Sequence, residues 1–276
     1  MADAHIHDFP SLFSLEGKVA VVTGGSRGLG LTAASARSSS RAARRQHARR
    51  RARRSTACPT YVRGARAVSV PADLSTVEGV RHLVAEVSRR TGHVDVLLAN
   101  AGATWGEAFD SHPDAAFAKV MDLNVRGVFN LVREFAPLLQ RRASAEDPSR
   151  VVITASVSGL GVGTLGKQGT YGYSASKAAV IHLGRNLAVE LGPRGITVNS
   201  ICPGFFPTKM SNGLLKMAGG VEAVAKANPM RRLGRPEDIA GVVVYLTSRA
   251  GSHVNGAAIE IDGGALWQSG ELNVKL

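Results

Sequence analysis

Short, largely β-branched apolar runs alternate along this chain with longer stretches whose apolar residues recur every three or four positions. Lys18–Thr23, Ala67–Val70, Val94–Leu98, Val151–Thr154, Ile196–Ile201 and Ala258–Ile261 read as strands buried on both faces, as in a parallel sheet. Between them, residues 76–90 carry Val80, Leu83, Val84 and Val87 at helical spacing. Residues 113–139 form a long amphipathic pattern, and residues 173–191 a third helix. A fourth opens at Pro236, with proline at a first helical position. Strands alternating with helices predict an α/β chain: a single-domain Rossmann fold, a doubly wound parallel sheet flanked by helices. The domain is expected to span 17–267, with an N-terminal extension over 1–16 and a tail over 268–276. No internal repeat or linker divides it.

One segment breaks the alternation. A doubly wound fold needs a helix after the first strand and then a second strand, yet residues 35–54 offer Ser, Ala, Arg and Gln with no apolar face. Nine arginines lie between Arg37 and Arg54, and no Asp or Glu occurs from Gly17 to Ala72. Taking those nine from the formal charge of +13 leaves +4, so the basicity is local. Composition of this kind, rich in Arg, Ala and Ser and free of Lys, is what a GC-rich gene gives when read out of frame. Residues 31–66 are therefore read as atypical, through two compensating frame shifts or as a genuine basic arm.

Composition excludes several classes. Hydrophobic residues make up 44% and charged residues 20%, ordinary for a chain that buries a core. Asp3, His5, His7 and Asp8 sit where a signal peptide needs apolar residues, and no apolar run reaches the roughly 20 residues of a membrane span. Cys58 and Cys202 make neither a disulfide framework nor a metal spacing, so no metal and a reducing, cytoplasmic setting are expected.

Three features carry chemistry. Thr23-Gly24-Gly25-Ser26-Arg27-Gly28-Leu29-Gly30 follows the first strand directly. Gly24 suits a tight turn, Gly28 lets backbone approach a pyrophosphate, and Gly30 lets helix and strand pack closely, with helix amides facing the phosphates. Tyr173 and Lys177 stand four apart on one helix face, where a cation can stabilise phenolate and suit it to proton transfer. Tyr171 lacks such a partner, since Ala175 lies four residues on. Ser156 ends the strand 151–154, facing the cleft beyond the sheet's carboxyl edge, with Ser158 as the alternative hydroxyl.

Thr23–Gly30, Asn100-Ala101-Gly102, Asn124, Ser156, Tyr173–Lys177, Pro203-Gly204 and Asp262-Gly263-Gly264 together resemble the ordered motifs of the classical short-chain dehydrogenase/reductases. The likeness runs from about Gly17 to Gly264 and fails near Ala33–Arg63. Within the family it is nearest to NADPH-dependent β-ketoacyl reductases, on Asn100–Gly106, Pro137-Leu138-Leu139, Ser144-Ala145-Glu146 and Arg235-Pro236-Glu237. Some four extra residues around Gly161–Lys167 fall on the substrate side.

The resemblance implies a carbonyl reduction in which Tyr173 is the general acid. Lys177 lowers its pKa and holds the nicotinamide ribose, Ser156 positions the carbonyl, and Asn124 holds a water leading to Lys177. It implies a cofactor site of Gly24, Ser26, Arg27, Gly28, Leu29, Gly30, Asp73, Leu74, Asn100, Ala101, Gly102, Asn124, Tyr173, Lys177, Pro203, Gly204, Phe206 and Thr208. In it, Asp73 contacts adenine, Asn100 follows the adenosine side and Thr208 reaches the carboxamide or phosphate. Arg27, and the lack of any acid between Gly17 and Ala72, favour NADP(H) over NAD(H), with Arg49 a further phosphate partner. Trp105, residues 161–169 and residues 205–219 shape a pocket for a small-molecule or acyl-thioester ketone, and the helices 113–139 and 173–191 would pair in a homodimer or homotetramer.

Two other readings stand beside this one. The arginine tract could bind nucleic acid, although no aromatic residue interleaves it and the motif set would go unexplained. Alternatively, loss of the second strand would leave a catalytically impaired relative. Sequencing the transcript across residues 31–66 separates the two origins of the segment. Frame errors predict compensating insertions and deletions at its borders, whereas an intact frame makes the basic arm genuine.

Overall fold

The computed structural model describes residues 9–25, 28–30, 68–208 and 211–268. Five strands, β1 (Ala20–Val22), β2 (Val96–Ala99), β3 (Ser149–Thr154), β4 (Ile196–Pro203) and β5 (Ala258–Ile261), form one parallel sheet in the order β1-β2-β3-β4-β5. Val21 lies opposite Leu97, Leu97 opposite Val151, Val151 opposite Val198, and Ile201 opposite Ile259. Parallel neighbours need crossovers, and here helices make them. They are α1 (Val77–Ser88), α2 (Asp114–Met121), α3 (Gly127–Gln140), α4 (Tyr171–Leu191), the short α5 (Asn212–Met217) and α6 (Val221–Ala227), and α7 (Pro236–Thr247).

Alternation along each strand sorts the core into two layers. Val21, Leu97, Val151, Ile153 and Val198 face one side, where they meet Val80 and Leu83 of α1, Leu131 and Phe135 of α3, and Val180 and Leu187 of α4. Val22, Leu98, Val152 and Ile201 face the other, against Ile239, Val243 and Leu246 of α7. Both faces are thus covered, as an α/β Rossmann fold requires.

Helix ends follow local chemistry. The Thr76 hydroxyl accepts the Gly79 amide at 3.1 Å and starts α1. The carboxylate of Asp238 accepts the Arg235 amide at 2.7 Å ahead of Pro236 and starts α7.

Two expectations need correction. The long helix over 113–139 is two α-helices joined by a π turn, Asp122–Arg126, in which one extra residue per turn lets Asn124 point inward. The strand expected at Ala67–Val70 does not form over Val68–Val70; those residues lie outside any ladder, and Val70 is instead buried in the layer of Val21. Ala67 and the arginine tract lie outside the described residues.

Phe135 is fully buried and Val189 is 79% exposed. Urea unfolding should show Phe135→Ala losing about 3–5 kcal/mol and Val189→Ala changing by no more than about 0.5 kcal/mol.

Candidate functional site

The carboxyl ends of β1 to β4 open into a single cleft, as expected of a parallel sheet. Its floor is a hydrogen-bonded seam. The Thr23 hydroxyl accepts the amides of Asn100 at 2.9 Å and Ala101 at 3.1 Å, and donates to the Leu98 carbonyl at 3.3 Å. That uses its one donor and both acceptor sites. The Asn100 side chain continues the seam: its Nδ2 donates to the Thr23 carbonyl at 3.1 Å and its Oδ1 accepts from the Thr154 hydroxyl at 3.2 Å. Three strand ends are thereby fixed together. Thr23 enters the sequence reading only as the start of the glycine motif and Thr154 only as a strand end; a hydroxyl residue at the close of a buried apolar run is the signal for the roles they take here.

Against this seam the glycine turn fits without room for side chains. Gly24 has φ +64°, in the left-handed region, and a Cβ at Gly30 would lie 2.6 Å from the Gly24 carbonyl oxygen and 2.3 Å from Asn100 Nδ2. Gly28 faces the Thr208 side chain across the cleft.

The resulting cavity, about 830 Å³, is lined by Gly24, Gly28, Leu29, Asp73, Leu74 and Asn100-Ala101-Gly102. Pro203, Gly204, Phe206 and Thr208 line it too, as do Ser156, Tyr173 and Lys177, with Gly102 close to Lys177 Nζ. The sequence-predicted residues therefore converge, with two exceptions among those described: Gly30 packs behind the turn, and Asn124 does not line the cavity. Ser26 and Arg27 lie outside the described residues, as does Arg49. Of the expected substrate-side residues, Thr164 and Phe205 line the cavity whereas Trp105 does not.

Asn124 is buried, and both hydrogens of its carboxamide are engaged. Its Oδ1 accepts the Ala103 amide, while its Nδ2 donates to the Ala103 carbonyl and to the Ser176 hydroxyl, each at 2.9 Å. Ser176 in turn donates to the Tyr173 carbonyl at 2.7 Å. Asn124 thus braces the segment after β2 against α4 rather than reaching the cleft. Asp73, by contrast, lines the cavity, and its carboxylate accepts the Ser75 hydroxyl at 2.7 Å and the Ser75 amide at 3.0 Å, bonds that hold its pKa below the usual carboxylate range.

Tyr173 and Lys177 stand one turn apart on α4. Lys177 Nζ donates to the Thr154 carbonyl at 2.6 Å and lies 5.5 Å from the Tyr173 ring centroid. Burial pushes Tyr173 above the ordinary tyrosine range, opposed by a hydrogen bond with Ser156. Lowering of Tyr173 by the Lys177 charge, the sequence expectation, is not what this geometry gives; desolvation wins. Burial also lowers Lys177 to about 8 and pushes the thiol of Cys202, beneath them, up to about 12. The Ser158 amide bonds to Ser156 Oγ at 3.2 Å, so Ser156 is the hydroxyl that meets the tyrosine.

A glycine turn, a cleft across the strand ends and a Ser–Tyr–Lys set at its end are the arrangement under which the comparisons fall. The family model described as enoyl-(acyl carrier protein) reductase matches residues 24–265. The chain belongs to the short-chain dehydrogenase/reductase family. Among its relatives in the family is the rhamnolipids biosynthesis 3-oxoacyl-[acyl-carrier-protein] reductase of Pseudomonas aeruginosa, 40% identical over 91% of this chain and 97% of that protein. Another is the 3-oxoacyl-[acyl-carrier-protein] reductase of Synechocystis sp., 32% identical over 91% and 98%. The solved Pseudomonas aeruginosa RhlG/NADP active-site complex superposes with a TM-score of 0.78 at 37% identity, covering 93% of this chain and 99% of that one. As a short-chain dehydrogenase/reductase the chain is an oxidoreductase. Among its described residues no helix is long and apolar enough to cross a membrane.

The lysine carries a pH signature. Its folded pKa of about 8 lies below the unfolded value of about 10.4, so between these the unfolded chain binds the extra proton. The group's contribution to stability is therefore full above the unfolded pKa and is lost as pH falls through about 8. Urea midpoints of wild type and Lys177→Met, measured from pH 7 to pH 10, should show wild type gaining stability relative to the variant as pH rises; a constant difference would refute the assignment.

Proposed function

We propose that this short-chain dehydrogenase/reductase uses NADP(H) to reduce a ketone to a secondary alcohol, with Tyr173 as the proton donor. The observation that carries the reading is the convergence of Ser156, Tyr173 and Lys177 on the cavity that Gly24 and Gly28 of the glycine turn also line. A dinucleotide suits that cavity: the turn admits no side chain at Gly24 or Gly30, and Gly28, Asp73, Asn100, Lys177 and Thr208 all line it. When bound, its nicotinamide supplies the hydride.

The chain's own residues handle the proton and the oxygen. A tyrosine held above its ordinary pKa is protonated at neutral pH and can give its proton to a carbonyl oxygen acquiring charge. Ser156, already bonded to that hydroxyl, holds the same oxygen and limits its freedom. Lys177 uses one donor on Thr154 and keeps two for the ribose hydroxyls, placing positive charge beneath the phenol. Asn124 acts through position, locking the first turns of α4 by way of Ser176.

Preference for NADP(H) is supported by the NADP complex of the Pseudomonas relative and by Arg27 in an acid-free stretch. The names of the relatives support a 3-oxoacyl thioester as substrate. Exposed Phe117 and Phe129 on α2 and α3 support self-association through these helices.

Titration by intrinsic fluorescence should show NADPH binding more tightly than NADH, and NADPH oxidation should follow addition of a 3-oxoacyl thioester. Tyr173→Phe should keep NADPH binding and lose about 10²–10⁴-fold in kcat. Turnover undiminished in that variant would remove Tyr173 from the chemistry. Failure of the full chain to bind either dinucleotide would mean that residues 31–66 build no adenosine wall, and the impaired-relative reading would replace this one.

A further inference from the structure

Between β3 and α4 the chain passes through Gly159, Gly161 and Gly163, alternate residues that each lie against another part of the molecule. A Cβ at Gly159 would sit 2.5 Å from the Lys177 carbonyl carbon, and one at Gly163 would run into the Ser174 hydroxyl, so both rest on α4. Gly161 does not. A Cβ there would sit 2.7 Å from Cδ1 of Leu266, which lies beyond β5. The same segment gives Val157, Ser158, Thr164 and Thr170 to the cavity lining, so Leu266 touches it between its cavity-lining stretches.

Leu266 is placed there by Asp262, the residue after β5. One carboxylate oxygen accepts the Gly264 amide at 2.8 Å and the other the Leu266 amide at 2.7 Å, which winds residues 262–266 into a turn. That turn is also fastened to the segment after β4. The Asp262 carbonyl accepts Nδ2 of Asn228, at the end of α6, at 2.7 Å, and the Gly204 amide donates to the Ile261 carbonyl at 3.1 Å. A Cβ at Gly204 would lie 2.6 Å from Asp262 Cβ, so the two are in close contact. Gly204, Phe205 and Phe206 line the cavity as well. Leu266 belongs to neither layer of the core, so its contact with Gly161 does not serve the sheet.

We infer that the turn Asp262–Leu266 is a clasp that positions the substrate side of the cavity by holding two of its lining segments together. Leu266 sets where the segment bearing Ser158 and Thr164 lies, and the bonds at Asp262 set the segment bearing Gly204 and Phe205. The need for a clasp follows from the glycines. They let the first segment approach α4 closely, but a glycine-rich backbone has the most conformational freedom to lose. An outside contact at Gly161 removes part of that freedom before substrate arrives, so less ordering remains for binding to do. The effect falls on the substrate rather than on the dinucleotide, because the glycine turn is held by the seam at Thr23 and Asn100 instead. Only the kinetic part of this inference rests on the ketone reduction proposed above.

Leu266→Ala opens the clasp at one attachment and Asn228→Ala at the other, while Leu266→Met keeps the reach to Gly161. Hydrogen–deuterium exchange of the full chain without ligand reads the segment directly, since the amides of Leu160 and Gly161 both donate to the Val157 carbonyl at 2.9 Å. Peptides covering 157–163 should exchange about tenfold faster in both alanine variants and near the wild-type rate in the methionine variant. Unchanged exchange in either alanine variant overturns the clasp. Steady-state NADPH oxidation with acetoacetyl-coenzyme A reads its consequence. Leu266→Ala should raise KM for the thioester about tenfold, keep kcat within about threefold and leave NADPH binding unchanged. An unmoved KM, or an equal loss of NADPH affinity, refutes a role on the substrate side. If the wild type turns over no thioester, the proposed reduction of that substrate fails, and the exchange result by itself upholds or overturns the clasp.

Discussion

The cleft depends on how three strands end. A chain leaving a buried parallel strand carries amides that no longer have a ladder partner, and an unpaired buried amide is costly. Here the Thr23 hydroxyl takes the amides of Asn100 and Ala101, and Asn100 reaches back to Thr23 and across to Thr154. One hydroxyl and one carboxamide thereby let β1, β2 and β3 stop at a common level. The glycine turn can then lie flat on the seam, with Gly24 and Gly30 pressed against Asn100. Loosening the seam would move both the turn and the Thr154 carbonyl that receives Lys177.

The reacting groups sit where burial and polarity oppose each other. Desolvation raises the phenol of Tyr173 and lowers the ammonium of Lys177, so both neutral forms are favoured by the same surroundings. A hydrogen bond with Ser156 counters this at Tyr173, and the neighbouring Cys202 counters it at Lys177. A phenol held in its protonated form is the outcome, and it comes from packing.

Most of the architecture was legible because burial on both faces leaves continuous apolar runs. The strands at 151–154, 196–201 and 258–261 and the helices near 77, 171 and 236 appear within a few residues of their expected places. Tyr173, Lys177 and Ser156 could be picked out because few residue types suit proton transfer at that spacing, and the structure brings all three to one cavity. What escaped depends on partners distant in sequence. Val68–Val70 has the composition of a strand, yet strand formation needs a neighbour to pair with, which no local pattern reports. The balance of desolvation against charge at Tyr173, the interior engagement of Asn124 and the reach of Leu266 to Gly161 are likewise three-dimensional facts.

The π turn at Asp122–Arg126 works as a phase shifter. Each residue advances a helix by about 100°, so one residue beyond the α repeat rotates everything that follows by nearly a third of a circle. Before the turn, α2 presents Ala116 and Val120 inward; after it, α3 presents Leu131, Phe135 and Leu139 to the sheet. One uninterrupted α-helix could not meet both surfaces. The surplus residue reconciles two apolar stripes that are out of step in the sequence, and Asn124 occupies the point where they change over.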